Sequence, residues 1–241
     1  MHRFFVPSEQ ISKDTITITG SDVNHIKNVL RMHTGDRLEA FDGAGNSFMV
    51  KIISIGASNI QCEIINKINS EIESSVKITL AQCLPKAKKM DFIVQKATEL
   101  GACGIIPVIS ERSVPKIEDK ADKKVSHWQM IAKEAAEQSG RTVIPKIGPL
   151  TKFEDLIKIA KNYDLAIIPW EGERTATLST LIPQSLSTVL VIIGPEGGFS
   201  QQEVNLAISG GFDPISLGKR ILRTETAGIV ALSQIYYELG D

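Results

Sequence analysis

The sequence predicts an α/β protein with two domains, a small β-rich domain over residues 1–70 and a larger domain over residues 71–241 built on a mainly parallel sheet. Short runs of alternating apolar and polar residues dominate the first domain, which is typical of strands with one buried face. In the second domain, strand patterns alternate with helical patterns, as in parallel sheets covered by helices on both faces. Two glycine-bearing loops near the carboxyl-terminal end each join a predicted strand to a helix.

The first domain is predicted to be a small β-barrel with one helix. Alternation predicts strands at residues 15–18, 37–41, 47–53 and 60–65. Residues 21–31 place apolar side chains on one face of a helix. The mostly polar stretch 66–75 is predicted to be a linker to the second domain.

The second domain is predicted to alternate strands with helices. Its predicted strands are residues 76–84, 105–109, 165–170, 189–193 and 214–217. Apolar residues at helical spacing predict helices that end near Gly101 and near Gly140, and a last helix beyond the second glycine-bearing loop. Two capping boxes are predicted to start further helices, because Thr151 and Ser200 each precede a glutamate by three residues.

The two glycine-bearing loops are the strongest functional signal in the sequence. Residues 194–200 read Gly-Pro-Glu-Gly-Gly-Phe-Ser, and residues 217–227 read Leu-Gly-Lys-Arg-Ile-Leu-Arg-Thr-Glu-Thr-Ala. Loops that leave the carboxyl ends of parallel strands converge, and open α/β sheets bind ligands there. Glycine permits positive φ and close backbone approach, so such loops can hold a flat nucleoside. Neither the Walker pattern nor the Gly-x-Gly-x-x-Gly pattern is present.

The composition limits the class of protein without indicating a function. The 27 Lys and Arg nearly balance the 28 Asp and Glu, so any RNA contact must come from local clustering. Three cysteines without Cys-x-x-Cys spacing predict free thiols and no metal site. No apolar run approaches the roughly 20 residues of a membrane span. The first residues do not resemble a secretory signal. We therefore expect a cytoplasmic protein.

The two loops, together with further motifs along the chain, resemble the RsmE family, the ribosomal RNA small-subunit methyltransferases of the SPOUT superfamily. The further motifs are His-Arg-Phe-Phe at residues 2–5, Gln-Lys-Ala-Thr-Glu-Leu-Gly at 95–101, Ser-Glu-Arg-Ser at 110–113 and Glu-Ala-Ala-Glu-Gln-Ser-Gly-Arg at 134–141. The resemblance is collinear from residue 2 to residue 227. It implies a PUA-like RNA-binding barrel, followed by a SPOUT-type methyltransferase domain with a trefoil knot.

The resemblance also implies the chemistry and the partners. It implies methyl transfer from S-adenosylmethionine to N3 of a uridine in 16S ribosomal RNA, within the assembled small ribosomal subunit, by a homodimer. It places the cofactor against the two loops, at Gly194, Pro195, Glu196, Gly197, Gly198, Leu217, Gly218, Ile221, Leu222 and Arg223.

Two residues are candidates for catalysis, because N3 of uridine is mostly protonated and is a poor nucleophile at neutral pH. Arg223 is the candidate cation for negative charge that develops on the uridine oxygens, and Glu225 is the candidate base. A role of Glu225 in stabilising the start of the last helix is at least as plausible from the sequence.

The candidate RNA-contacting residues are cations in both domains, which can neutralise phosphates. They are His2, Arg3, Arg31, Lys86, Lys88, Lys89, Arg112 and Arg141. Two other functions remain open from the residues alone. One is a SPOUT methyltransferase that acts on transfer RNA or on a ribose 2′-hydroxyl, and the other is a non-catalytic RNA-binding module.

Overall fold

The computed structural model describes residues 1–69, 71–86, 89–113, 121–183 and 185–240. The chain forms two compact units. The first unit comprises Met1–Glu73 and Ala136–Ile144, and the second comprises Ser74–Ala135 and Pro145–Asp241. The predicted domain boundary at residue 70 stays a prediction. The return of residues 136–144 to the first unit has no local signal in the sequence.

The first unit contains a five-stranded sheet. Its strands are β1 (Arg3–Phe5), β2 (Thr15–Thr19), β3 (Arg37–Phe41), β4 (Ser47–Ile55) and β5 (Asn59–Ile68). Their order across the sheet is β1-β3-β4-β5-β2. The pair β1–β3 is parallel, and the other pairs are antiparallel. Alternate apolar residues of the strands form one buried core, as the sequence pattern predicts.

The helical segment of the first unit differs from the prediction in its geometry. A short α-helix, α1 (Ser21–Asn24), continues into a π-helical turn over His25–Val29. Arg31 follows with a φ of 53°, a left-handed conformation that is uncommon for a residue other than glycine. The predicted regular helix over residues 21–31 is therefore interrupted.

The linker predicted over residues 66–75 is wrong in part. Its first residues continue β5, where Asn66 and Lys67 pair with Met49 and Phe48 of β4. Near its end, the Glu73 carboxylate accepts hydrogen bonds from the backbone N–H groups of residues 142 and 143. A polar stretch is usually exposed to water and irregular. Polar side chains that form hydrogen bonds with partly buried partners can nevertheless fix such a stretch in one conformation.

The segment that returns to the first unit pairs with the turn between β3 and β4. The N–H group of Gly45 donates to the carbonyl of Thr142 at 3.0 Å, and the N–H group of Ile144 donates to the carbonyl of Gly43 at 3.0 Å. Gly43 has a φ of 72°, and a Cβ there would lie 3.0 Å from the Phe5 ring. The turn therefore needs glycine for both its conformation and its packing.

The second unit is built on a seven-stranded sheet. Its strands are β6 (Lys77–Cys83), β7 (Gly104–Ile109), β8 (Lys146–Ile147), β9 (Thr151–Lys152), β10 (Leu165–Pro169), β11 (Thr188–Ile193) and β12 (Asp213–Ile215). Six strands follow the order β12-β10-β11-β6-β7-β8, and β9 pairs with β7. Every pair is parallel, which confirms the prediction. The central strands are apolar on both faces because helices cover both.

Within the residues that the structure describes, five α-helices lie between these strands in the chain, and a sixth follows β12. They are α2 (Lys89–Glu99), α3 (Ala121–Ser139), α4 (Phe153–Ile159), α5 (Leu178–Leu181), α6 (Gln201–Ser209) and α7 (Thr224–Leu239). On one face of the sheet, α4 and α6 pack against β6 and β11 in one buried cluster. On the other face, α7 packs against the same two strands and against α2. Within the residues that the structure describes, no helix is long and apolar enough to span a membrane.

Of the two predicted capping boxes, one is confirmed and one is wrong. The Ser200 Oγ accepts from the Glu203 N–H group at 3.3 Å, and the Glu203 carboxylate accepts from the Ser200 N–H group at 2.9 Å. Thr151 instead lies in β9, paired with Val108, and its hydroxyl donates to the carbonyl of Pro149 at 2.9 Å. The helix α4 begins after Lys152 without a side-chain cap. Strand pairing therefore prevents Thr151 from capping it.

Candidate functional site

The strands β12, β10 and β11 are neighbours in the sheet, in that order. A loop leaves the carboxyl end of each of them. The loops cover residues 170–177 after β10, 194–200 after β11 and 216–223 after β12. The first of them was missed in the sequence, although it follows a buried strand and contains Gly172. Its residues lie against the third loop, since the N–H group of Ser216 donates to the carbonyl of Ala176 at 2.9 Å. Ligands of open α/β sheets bind at the carboxyl ends of the strands, and three loops surround that edge in this sheet.

The loop over residues 194–200 is held from both sides. A Cβ on Gly194 would lie 3.1 Å from the Phe199 ring, so a larger residue there would require the ring to shift. Gly198 has a φ of 65°, and a Cβ there would meet no atom within 4 Å. The Arg112 guanidinium donates to the carbonyl of Gly197 at 2.8 Å. The loop is thus fixed in shape, while its backbone stays open at Gly198.

A buried chain of hydrogen bonds joins this loop to the start of α7. Gln82 lies at the end of β6 and is 0% exposed. Its Nε2 donates to the Thr224 Oγ1 at 2.9 Å, and the Thr224 hydroxyl donates to the carbonyl of Gly194 at 2.6 Å. Gln82 and Thr224 are separated by 142 positions, so no local pattern in the sequence indicates this contact. It fixes the start of α7 against the start of the loop.

A second contact between the same elements is ionic. The Lys89 ammonium lies 3.0 Å from the Glu196 Oε1 and 3.2 Å from the Glu225 Oε2. Glu196 also accepts from the N–H group of Lys86 at 3.1 Å. Burial raises the pKa of the Glu196 carboxyl, but the hydrogen bond from Lys89 and that N–H group outweigh it and hold the pKa below its ordinary value. The sequence predicts an RNA contact for Lys89, and the structure pairs its ammonium group with these two carboxylates instead.

The loop over residues 216–223 is exposed at residues 218–221 and at Arg223. Leu217 and Leu222 are half-buried, whereas Ile221 is 84% exposed. Gly218 has a φ of 117°, and a Cβ there would meet no atom within 4 Å. Arg223 precedes α7 with an exposed side chain. The loop thus presents open backbone, an apolar side chain and a cation together.

The structure links the first predicted cofactor loop to the start of α7, directly after the second predicted loop. The links are the hydrogen bond from Thr224 to Gly194 and the two ion pairs of Lys89. Glu225 lies in the first turn of α7 and is engaged by Lys89. The roles of both loops and of Glu225 in binding and catalysis stay predictions.

The predicted RNA-contacting residues of the first unit differ in exposure. His2 and Arg31 are exposed. The side chain of Arg3 is only 8% exposed, pairs with Glu39 at 2.8 Å and stacks over the Phe41 ring. The side chain of Arg141 is 5% exposed and pairs with Glu73 at 2.7 Å. Arg3 and Arg141 therefore stabilise the fold of this unit through their ion pairs.

The candidates in the second unit are also unequal. Lys86 and Arg112 are exposed, and the Arg112 guanidinium binds the loop carbonyl described above. Lys88 lies outside the described residues. Among the residues that the structure describes, no group of three His, Cys, Asp or Glu side chains has an arrangement that could hold a metal ion.

Known proteins share both units. The family model of the RNA methyltransferase domain matches residues 72–236, and the model of the RNA methyltransferase PUA domain matches residues 18–65. The ribosomal RNA small subunit methyltransferase E of Bacillus subtilis (strain 168) is 37% identical, over 99% of this chain and 97% of that protein. The chain belongs to the ribosomal RNA small subunit methyltransferase E family.

Further members of this family agree in sequence and in fold. The ribosomal RNA small subunit methyltransferase E of Synechocystis sp. is 35% identical, over 97% of this chain and 77% of that protein. The crystal structure of the family member from Neisseria gonorrhoeae, bound to S-adenosyl methionine, superposes with a TM-score of 0.88 at 33% identity, over 98% of this chain and 97% of that one. The predicted α/β class with a PUA-like first part is confirmed. The trefoil knot and the homodimer stay predictions.

Proposed function

We propose that this chain is an S-adenosylmethionine-dependent methyltransferase that methylates N3 of one uridine in 16S ribosomal RNA. The observation that carries the proposal is the pair of glycine-bearing loops at the carboxyl edge of the parallel sheet, joined by the contact of Thr224 with Gly194. Membership of the family supports the substrate class, because the relatives are named for the small-subunit ribosomal RNA. The choice of uridine N3 rests on the resemblance of the whole chain to that family.

The two loops fit the proposed cofactor. Backbone that is open at Gly198 and at Gly218 allows a planar base to approach closely. The exposed Ile221 offers apolar contact to such a base at a position where water otherwise surrounds it. The residues that would hold the cofactor are Gly194, Pro195, Glu196, Gly197, Gly198, Leu217, Gly218, Ile221, Leu222 and Arg223. When bound, S-adenosylmethionine supplies an electrophilic methyl carbon.

The chain's own residues must then prepare the uridine. Loss of the N3 proton leaves negative charge on the neighbouring oxygens, which a cation can stabilise. Arg223 suits this role because its side chain is exposed beside the second loop. Glu225 is the candidate base, but Lys89 engages its carboxylate, so we assign the larger contribution to Arg223. Correct placement of the uridine nitrogen supplies much of the remaining rate.

The set of proposed RNA-contacting residues is smaller than the set that the sequence alone predicts. His2, Arg31, Lys86 and Arg112 remain candidates because they are exposed. Arg3 and Arg141 are left out because burial removes them from phosphates. We further propose that the substrate is the assembled small subunit, that the enzyme acts as a homodimer and that it is cytoplasmic.

The experiment that tests this function measures methyl transfer from labelled S-adenosylmethionine to small ribosomal subunits that lack the modification. Transfer RNA serves as the alternative substrate, and nucleoside analysis identifies the product. We expect label in 3-methyluridine of ribosomal RNA, and loss of that label in an Arg223→Gln variant. Label in transfer RNA or on a ribose would contradict the assignment of uridine N3 in 16S ribosomal RNA as the methylated position. Cofactor binding without any transfer would favour a non-catalytic RNA-binding module.

A further inference from the structure

We propose that Lys89 is a positioning residue that holds the first cofactor loop against the start of α7, directly after the second loop, by pairing with a carboxylate from each. The inference rests on the proposed function, since the loops are its proposed cofactor site. Lys89 does not touch the reacting atoms in this scheme. It acts through Glu196 in the first loop and Glu225 in the first turn of α7, two residues after the second loop ends.

The position of Lys89 suits this task. It is the first residue of α2, and α2 packs along α7, so its backbone is anchored on regular structure. The side chain is 33% exposed, whereas those of Glu196 and Glu225 are 24% and 17% exposed. Partial burial lowers the screening of these charges by water and salt. One ammonium group therefore contacts two partly buried carboxylates, one from the first loop and one from the start of α7.

Removal of the Lys89 charge would leave the Glu196 and Glu225 carboxylates without their shared cation. Two carboxylates that contact the same ammonium group are close to one another, and they repel once that group is lost. The first loop and the start of α7 carry these carboxylates, so the repulsion acts to separate them. The hydrogen bond from Thr224 to Gly194 does not involve Lys89 and would remain. We therefore expect a folded protein with displaced loops.

The first measurement is the affinity for S-adenosylmethionine by isothermal titration calorimetry in Lys89→Met, which keeps the length of the side chain and removes the charge. We expect Kd to rise at least tenfold, and Lys89→Arg to restore it to within about threefold of wild type. Lys96→Met is the matched control. Lys96 lies on the same helix, is 34% exposed and pairs with Glu99 at 2.8 Å, outside the proposed site. Its replacement should leave Kd unchanged.

A charge-relief variant separates electrostatic positioning from packing. In Lys89→Met with Glu196→Gln, one of the two repelling charges is gone, so Kd should recover by at least threefold relative to Lys89→Met alone. The glutamine oxygen can still accept from the N–H group of Lys86. Steady-state kinetics should place the defect of Lys89→Met in the KM for the cofactor more than in kcat.

Three results would overturn the proposal for Lys89. They are an unchanged Kd in Lys89→Met, an arginine variant as weak as the methionine variant, and a double variant no better than Lys89→Met. A Gly198→Val variant shows which assignment has failed. If it binds the cofactor weakly while Lys89→Met binds normally, the loops keep their proposed role and only the role of Lys89 is rejected. If it also binds normally, the proposed cofactor site is rejected as well.

Discussion

The first unit buries two arginines in ion pairs, whereas two cations of the second unit contact a loop at the edge of its sheet. Arg3 and Arg141 are 8% and 5% exposed. Lys89 and Arg112 instead reach a carboxylate and a carbonyl of the first glycine-bearing loop. The difference shows that an arginine in a PUA-like unit can serve the fold of that unit rather than contact phosphate.

Burial decides between these two uses of charge. Removing a charge from water costs several kcal/mol, which a partner and further hydrogen bonds must offset. Glu73 meets this condition, because it accepts from Arg141 and from the N–H groups of Thr142 and Val143. The pair therefore fixes the returning segment in the first unit. Lys89 and Arg112 of the second unit are more exposed, and they contact the loop that is proposed to bind the cofactor.

Glu73→Gln should produce the largest effect on stability. The amide keeps the shape of the side chain but loses the charge that matches the buried Arg141 guanidinium. We expect the free energy of unfolding to fall by about 3 kcal/mol in urea titration. Glu71→Gln is the control, since Glu71 lies two positions away and is exposed. It should change stability by no more than about 0.5 kcal/mol. Equal losses in both variants would contradict a structural role for this ion pair.

The pH dependence of the same variant sharpens the comparison. Burial raises the pKa of Glu73, but the Arg141 guanidinium and the backbone N–H groups outweigh it and hold the pKa below its ordinary value near 4.5. A lowered carboxyl pKa contributes stability above the unfolded value, and that contribution is lost as the pH falls through the folded value. The stability difference between wild type and Glu73→Gln should therefore shrink below about pH 4.5. A difference that is constant down to pH 3 would refute the assignment.

Gly198→Val tests the open backbone of the second unit. The left-handed conformation at a φ of 65° costs a residue with a Cβ about 1–2 kcal/mol, and the added side chain occupies the space proposed for the cofactor. We expect S-adenosylmethionine affinity to fall at least about tenfold, or about 1.4 kcal/mol. Gly211→Val is matched to it in backbone strain, because Gly211 has a φ of 94° and is equally open but follows α6. This control should lose stability and keep its affinity.

Ser200→Ala should have a smaller effect. The variant loses the side-chain acceptor for the Glu203 N–H group, so we expect a loss of about 1 kcal/mol in thermal or urea unfolding. Thr151 has the same sequence pattern without the contact, and Thr151→Ala should cost less than about 0.5 kcal/mol. Equal losses would show that the sequence pattern, rather than the observed geometry, determines helix capping in this chain.

Those two capping patterns show how far the sequence predicts this fold. Strands and helices follow from apolar periodicity, and the glycine-bearing loops follow from motifs that are local in the chain. The contact between Gln82 and Thr224, and that between Glu73 and Arg141, join residues far apart in sequence. Their burial depends on the packing of whole units, which no local pattern encodes. For this reason the loops could be predicted, but the residues that hold them together could not.

Arg31 and Arg3 provide the most direct test of the comparison, although each effect on affinity should be small. Arg31 is exposed after the π-helical turn, whereas Arg3 stacks over Phe41 and pairs with Glu39. A phosphate contact releases about one counterion, so Arg31→Gln should lower the slope of log K against log salt by about 1. Arg3→Gln should reduce stability and leave the slope unchanged, because a buried guanidinium releases no counterion when RNA binds. Fluorescence anisotropy with a fragment of small-subunit RNA measures both slopes. If Arg3→Gln lowered the slope and Arg31→Gln did not, burial would fail as a guide to which cations of the first unit contact RNA.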